Sequence, residues 1–231
     1  MLPRDGTITA SQFRQGAFNL IQKRNNNIDR HGYPDWCWVS CSSSPFAFAH
    51  EVDGYLSLEN ACLFGSEKLC HDEADVAGHE AVSSFENEEF ADSTTLVVDS
   101  SREEHYYDFH IVYNSSYKVP MLYFRGYSSD GQPLQFDDIE KDLPSSSTKV
   151  LTESKWTFIT QQEHPYLNRP WYTLHPCGTS EVMRLLFQDS ALGPNIVVEG
   201  ERYLISWLSV VGQVVSLRIP IEMGTLFHQS Q

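Results

Sequence analysis

The chain lacks a long apolar run. Its most apolar stretch, Tyr203 to Leu217, is interrupted by Ser206, Ser209, Gly212, Gln213 and Ser216. A membrane-spanning helix needs ~20 mainly apolar residues, so this stretch is read as a buried element, with no stable membrane insertion. Positive charge is also scarce: 16 Lys and Arg stand against 31 Asp and Glu, a formal charge of −15. Such a surface repels phosphate backbones and anionic lipid, which argues against nucleic acid and favours basic protein partners. The start, Met1-Leu2-Pro3-Arg4-Asp5, leads into no apolar signal core. Cysteine is sparse and odd in number: Cys37, Cys41, Cys62, Cys70 and Cys177. The expectation is a cytoplasmic protein with free thiols. The sequon at Asn114-Ser115-Ser116 is then a chance match. No internal repeat is present.

Apolar content is sufficient for a real core. With 41% hydrophobic and 13% aromatic residues, the chain is not wholly disordered. Its 231 residues suit one domain, 1–231, carrying a mobile insert. That insert is placed at about 66–104, where Asp72, Glu73, Asp75, Glu80, Glu86, Glu88, Glu89 and Asp92 crowd together and apolar residues lose their period. It reads as a solvated acidic linker, with docking to a basic partner surface as the alternative.

Thr9-Ala10-Ser11-Gln12 has the form of a capping box, and Phe13, Ala17, Leu20 and Ile21 follow at helical spacing. Gly16 reads as a weak point in that helix, and Asn25-Asn26-Asn27 as its end. Strands are expected around Trp36 and Trp38 and at Gly54 to Phe64. Alternation of Tyr107, Phe109, Ile111 and Tyr113 with Tyr106, Asp108, His110 and Val112 marks a strand. Asn114 to Lys118 is its turn and Val119 to Tyr127 the return strand. This hairpin is expected to be ordinary sheet packing with one solvent face, and a contact of Arg125, Tyr117 and the hairpin with a protein partner is the alternative. A short helix at Phe136 to Leu143, a strand at Lys155 to Gln161 and a loop at Glu163 to Pro170 follow. Two C-terminal helices are expected, the first with Val182, Met183, Leu185 and Leu186 inward, the second with Tyr203, Leu204, Trp207, Leu208 and Val211 inward. The fold class is α+β: an antiparallel β-sheet of about four or more strands, with one N-terminal helix and two C-terminal helices packed on it.

Cys177 is the candidate catalytic residue. Trp171 to Leu174 and Pro176 deliver it to the start of a helix, where partial positive charge and free N–H groups favour a thiolate. The local setting alone suits a transferase, a hydrolase or a redox thiol. Cys37, Cys41, Cys62 and Cys70-His71 match no common zinc-finger spacing, so no metal is expected.

The run Tyr117 to Gly126, Gly131-Gln132-Pro133-Leu134, the Glu163-His164-Pro165 loop and Leu174-His175-Pro176-Cys177 together resemble the autophagy E2-like conjugating enzymes. The resemblance is dense over Tyr106 to Glu222 and looser in the front helix. Gln161 to Leu167 and Ser206 to Gly212 resemble the branch that attaches the ubiquitin-like autophagy-related protein 12 to autophagy-related protein 5. This resemblance implies an E2-like fold and a thioester on Cys177. The modifier would arrive from the E1-like autophagy-related protein 7 and leave to a lysine of autophagy-related protein 5. It implies no cofactor, since ATP is used by the E1. The asparagine that ubiquitin E2 enzymes carry after their His-Pro pair is replaced by Tyr166. Accessory candidates near the thiol are His175, Thr160, Asn168 and Tyr113, with His175 read first as a loop anchor and His164 likewise. Alternatives are the sister branch, which conjugates a modifier (autophagy-related protein 8) to phosphatidylethanolamine, a non-catalytic modifier-binding adaptor, and a cysteine hydrolase.

Overall fold

A computed structural model describes residues 5–26, 34–41, 51–62, 104–148, 159–187 and 196–217. The acidic insert expected at about 66–104 lies outside these residues, as do Lys155 to Phe158 and Gly193-Pro194.

Helix α1 (Ala10–Asn26) starts where the capping box places it. The Gln12 N–H donates to Thr9 Oγ1 at 3.2 Å, and the Thr9 N–H donates to Gln12 Oε1 at 3.0 Å. Two orphan donors of the first turn are thereby satisfied. Phe13, Ala17 and Leu20 are buried against the second long helix, α4 (Ile196–Val214). Here Gly16 is more than a weak point. A Cβ on it would stand 2.5 Å from the carbonyl carbon and oxygen of Gly200, and one on Gly200 would stand 2.3 Å from the Gln12 carbonyl oxygen. The two helices cross backbone to backbone at a glycine pair.

The sheet has six strands, all paired antiparallel: β1 (Cys37–Ser40), β2 (Gly54–Cys62), β3 (His105–Asn114), β4 (Val119–Ser128), β5 (Ile159–Glu163) and β6 (Pro170–Leu174). Their order is β1-β2-β3-β4-β6-β5, so β6 is interior and β5 takes the edge. Of the strand expected at Lys155 to Gln161, the described part begins at Ile159 and runs on to Glu163. Ile159 pairs with Leu174 and Glu163 with Pro170. A short helix, α2 (Phe136–Asp142), follows β4.

Alternation along β3 sorts side chains between two faces. Tyr107, Phe109, Ile111 and Tyr113 enter the large core with α1 and α4. The opposite face is not solvent at this end of the sheet, contrary to the expectation from alternation. Tyr55, Val112, Met121, Tyr123, Tyr166 and Trp171 form a second core there. The β5–β6 loop supplies its Tyr166, whose hydroxyl donates to the Val52 carbonyl at 2.6 Å. His110 and His164 are buried in the same layer.

Helix α3 (Thr179–Phe187) departs most from the sequence reading. Met183 is buried at 1% exposure, but Val182, Leu185 and Leu186 are 39%, 56% and 48% exposed. The apolar stripe exists, yet the core takes the helix along its Met183 edge and leaves the rest of the stripe outward. Among the described residues, no helix is long and apolar enough to cross a membrane.

Candidate active site

Strand β6 positions the site. Its Thr173 Oγ1 donates to the Leu122 carbonyl of β4 at 2.7 Å, a buried bond that fixes the strand beside its neighbour. The chain then leaves the sheet at His175, which is extended (φ −65°, ψ 127°), as a residue before proline prefers. Pro176 opens a single 3₁₀ turn, Pro176–Gly178, and its preset φ and missing N–H suit that position. His175 caps the turn: its Nδ1 accepts the Cys177 N–H at 3.2 Å. The Thr179 N–H closes on the Pro176 carbonyl and α3 begins. Cys177 is exposed at the crown of this turn. Nothing lies within 4 Å of where a Cβ on Gly178 would be, so the approach beside the thiol is open.

His175 acts on the backbone of the turn, which is the loop-holding role expected first. Since Nδ1 is the acceptor, the proton of the neutral ring lies on Nε2. The Tyr117 ring stands edge-on to it, centroids 6.2 Å apart. Tyr117 belongs to the β3–β4 turn, whose shape is set by Asn114 Oδ1 accepting the Tyr117 N–H at 3.0 Å and by Lys118 at φ 55°. The turn is tied in turn to the N-terminal segment, because the Ile8 N–H donates to the Lys118 carbonyl at 2.8 Å. Gly6, at φ 75°, lies against α3. A Cβ there would fall 1.8 Å from the Ser180 carbonyl oxygen, and Tyr203 donates to the Gly6 carbonyl at 2.8 Å. Residues 6–8 thus link the hairpin turn to the helix that follows the cysteine.

The hydrogen bonds of Tyr113 and Thr160 go to groups other than Cys177. The Tyr113 hydroxyl is buried and donates to the Ile8 carbonyl at 3.0 Å. Thr160 sits opposite Thr173, and its Oγ1 accepts from Gln162 at 3.3 Å. Asn168, at φ 49°, lies in the β5–β6 loop, at the far end of β6. The five strand residues between it and the thiol hold them about 15 Å apart. Asn168 was expected as a polar group near the site; strand β6 lies between it and the thiol.

His164 sits at that same far end and serves as an anchor, as expected. Its Nδ1 accepts the Tyr166 N–H at 3.2 Å, so its proton lies on Nε2, which donates to His110 Nδ1 at 3.0 Å. His110 stacks on Trp171 with centroids 4.2 Å apart. Burial, then the neighbouring His164 and Arg169, push the pKa of His110 down to about 3. The pair is therefore neutral and structural. Burial also pushes up the thiols of Cys37, Cys41 and Cys62, helped by nearby Glu59, Asp53 and Glu104 respectively, which disfavours thiolate chemistry there.

The family described as "Autophagocytosis associated protein, active-site domain" matches residues 12–222, which takes in α1, the sheet and the Cys177 turn. The chain belongs to this family. As a member it is an E2-like conjugating enzyme of autophagy. It is 48% identical to "Ubiquitin-like-conjugating enzyme ATG10" of Arabidopsis thaliana over 221 residues, 95% of this chain and 96% of that protein. Against the protein of the same name from Dictyostelium discoideum it is 31% identical, over 94% of this chain and 97% of that one. The Homo sapiens protein of that name matches at 39% over about half of each chain, 54% and 55%. Within the family's active-site domain, the residues that sequence reasoning undervalued are Tyr117 and the outer face of α3. An aromatic residue in an otherwise polar turn was the available signal for the first.

Proposed function

We propose that Cys177 carries the ubiquitin-like autophagy-related protein 12 as a thioester, received from the E1-like autophagy-related protein 7 and passed to a lysine of autophagy-related protein 5. The observation that carries this reading is the placement of one exposed thiol on a backbone turn fixed from both sides, by the His175 cap and by α3. In the first step the Cys177 thiol gives its proton to solvent, and the thiolate attacks the thioester carbonyl carbon on the E1. A new C–S bond forms, the old one breaks, and the E1 cysteine leaves as thiolate. In the second step a deprotonated lysine amine attacks the same carbon. The C–N bond forms, the Cys177 thiolate leaves, and the amine gives up its extra proton. Both steps pass through a tetrahedral oxyanion, and two N–H groups of the turn are already donated elsewhere, that of Cys177 to His175 and that of Thr179 to Pro176. The chain works as a single E2-like domain in the cytoplasm.

The test mixes the full chain with E1, modifier and ATP and resolves the products with and without thiol reductant. An adduct that reductant removes is expected from the native chain. None is expected from Cys177→Ala, and a reductant-resistant one from Cys177→Ser. Native chain that forms no adduct beside an E1 proven active overturns the proposal.

A further inference from the structure

Tyr113 and Tyr203 come from different elements, β3 and α4, and their hydroxyls meet the same short stretch of backbone. Tyr113 donates to the Ile8 carbonyl at 3.0 Å and Tyr203 to the Gly6 carbonyl at 2.8 Å. Both side chains are buried. A buried hydroxyl or carbonyl left without its partner costs more than the bond contributes when made, so the two bonds keep residues 6–8 seated. The seat is tight. Gly6 adopts φ 75°, which glycine takes readily, and a Cβ on it would also lie 2.6 Å from the Arg184 nitrogen. Ile8 is fully buried. Asp5 Oδ1 accepts both the N–H and the hydroxyl of Thr7, at 3.0 and 2.8 Å, and so closes the turn that enters the stretch.

The Cys177 turn is flanked by the two elements that this stretch touches. Toward the hairpin, Ile8 holds Lys118, the neighbour of Tyr117, and the Tyr117 ring stands against His175. Toward the helix, Gly6 lies on Ser180, three residues after the thiol. We propose that Tyr113 and Tyr203 are positioning residues for the conjugation reaction. Through the strap Gly6–Ile8 they set the spacing between the β3–β4 turn and the first turn of α3, and so aim the Cys177 turn. This inference rests on the thioester reading above. Neither hydroxyl bonds to the thiol; each acts through backbone. A three-residue turn with an exposed crown takes its orientation from its supports. A reacting group must be held within about 0.5 Å of its productive place. Misplacement by about 1 Å, from a change far from the chemistry, costs on the order of 100-fold in rate.

The test removes each hydroxyl and keeps its ring. Tyr113→Phe and Tyr203→Phe are compared with Tyr166→Phe. The last loses a bond of the same kind, from Tyr166 to the Val52 carbonyl at 2.6 Å, in the second core at the far end of β6 from the thiol. Each variant is expected to fall in Tm by about 2–4 °C, the effect of one buried hydrogen bond in a domain of this size. Each full chain is charged on Cys177 by the E1 and ATP, then chased with free lysine at a temperature where all are folded. Both strap variants are expected to discharge about tenfold more slowly than the native chain, with the lysine concentration for half-maximal rate unchanged. Tyr166→Phe is expected to discharge at the native rate. In nitrogen–proton NMR spectra of the uncharged chains, the Cys177 amide, which donates to His175, is expected to shift in both strap variants and to stay in place in Tyr166→Phe. Discharge at the native rate in either strap variant overturns the proposal. So does equal slowing in Tyr166→Phe, which makes the effect one of general stability, and so does a Cys177 amide that does not move. Native chain that takes no adduct is a separate result, and it removes the thioester reading together with this one.

Discussion

Replacing Gly16 by alanine sets two effects of opposite sign against each other. In an isolated helix the change is favourable by about 1 kcal/mol, because alanine has less backbone freedom to lose. In this protein the new Cβ meets the Gly200 carbonyl carbon and oxygen at 2.5 Å and the Glu201 nitrogen at 2.9 Å. Ordinary van der Waals contact begins near 3.4 Å, so α1 must move off α4 by roughly 1 Å. No flexible side chain is available to give way, since all three atoms are backbone. Overpacking of this kind costs about 1–3 kcal/mol, and with three backbone contacts the upper end applies. The net expectation is about 2 kcal/mol of destabilisation after subtracting the propensity gain. For a domain of this size that is a fall in Tm of about 4–8 °C. Urea denaturation followed by far-ultraviolet circular dichroism measures it. Gly178→Ala, where a Cβ meets nothing within 4 Å, is the control and is expected to be near neutral. A combined Gly16→Ala/Gly200→Ala chain is expected to lose less than the sum of its parts, because the first separation makes room for the second. A Gly16→Ala protein that is more stable by about 1 kcal/mol refutes the close crossing.

The buried His110 makes stability depend on pH. Its folded pKa is lowered to about 3 from 6.5, so the unfolded chain takes up a proton that the folded chain refuses. The contribution is present above about pH 6.5, falls as pH drops through the window to 3, and amounts to a loss of about 2 kcal/mol between pH 7 and pH 5. His110→Phe, compared with the native chain by urea titration at both pH values, is expected to lose that much less on acidification; equal losses contradict the neutral pair. Thr9→Ala breaks the capping box and is expected to cost about 1 kcal/mol, read from the same urea midpoints. An unchanged midpoint means that the box carries no net stability.

Local signals in the sequence were legible where the responsible atoms are neighbours along the chain. The Thr9–Gln12 box, the alternation from Tyr107 to Tyr113 and the stripe from Tyr203 to Leu208 each specify an element and a face, and each is found as read. Periodicity says which residues share a face but not what covers it. That is why Val182, Leu185 and Leu186 read as core and prove to be surface. Gly16 looked like a flaw because its partner, Gly200, lies near the other end of the chain. His164 and His110 carried no pairing signal for the same reason. Around Cys177, the proline and histidine of the turn were readable, since they act within two residues. Asn168 is close to Cys177 in sequence, but strand β6 lies between them.

The strand order has a consequence for how the molecule is made. The β3–β4 hairpin is closed by the tight Asn114–Lys118 turn and needs only local contacts, so it is suited to form early. Strand β6 instead joins β4 through Tyr123 with Thr173, across a long loop of chain, while β5 stays outside it. Closing that loop requires ordering entropy before its contacts form. During synthesis the hairpin is complete while the segment bearing Cys177 has yet to emerge. The turn that displays the thiol follows the strand added across that loop, so its position depends on this long-range pairing.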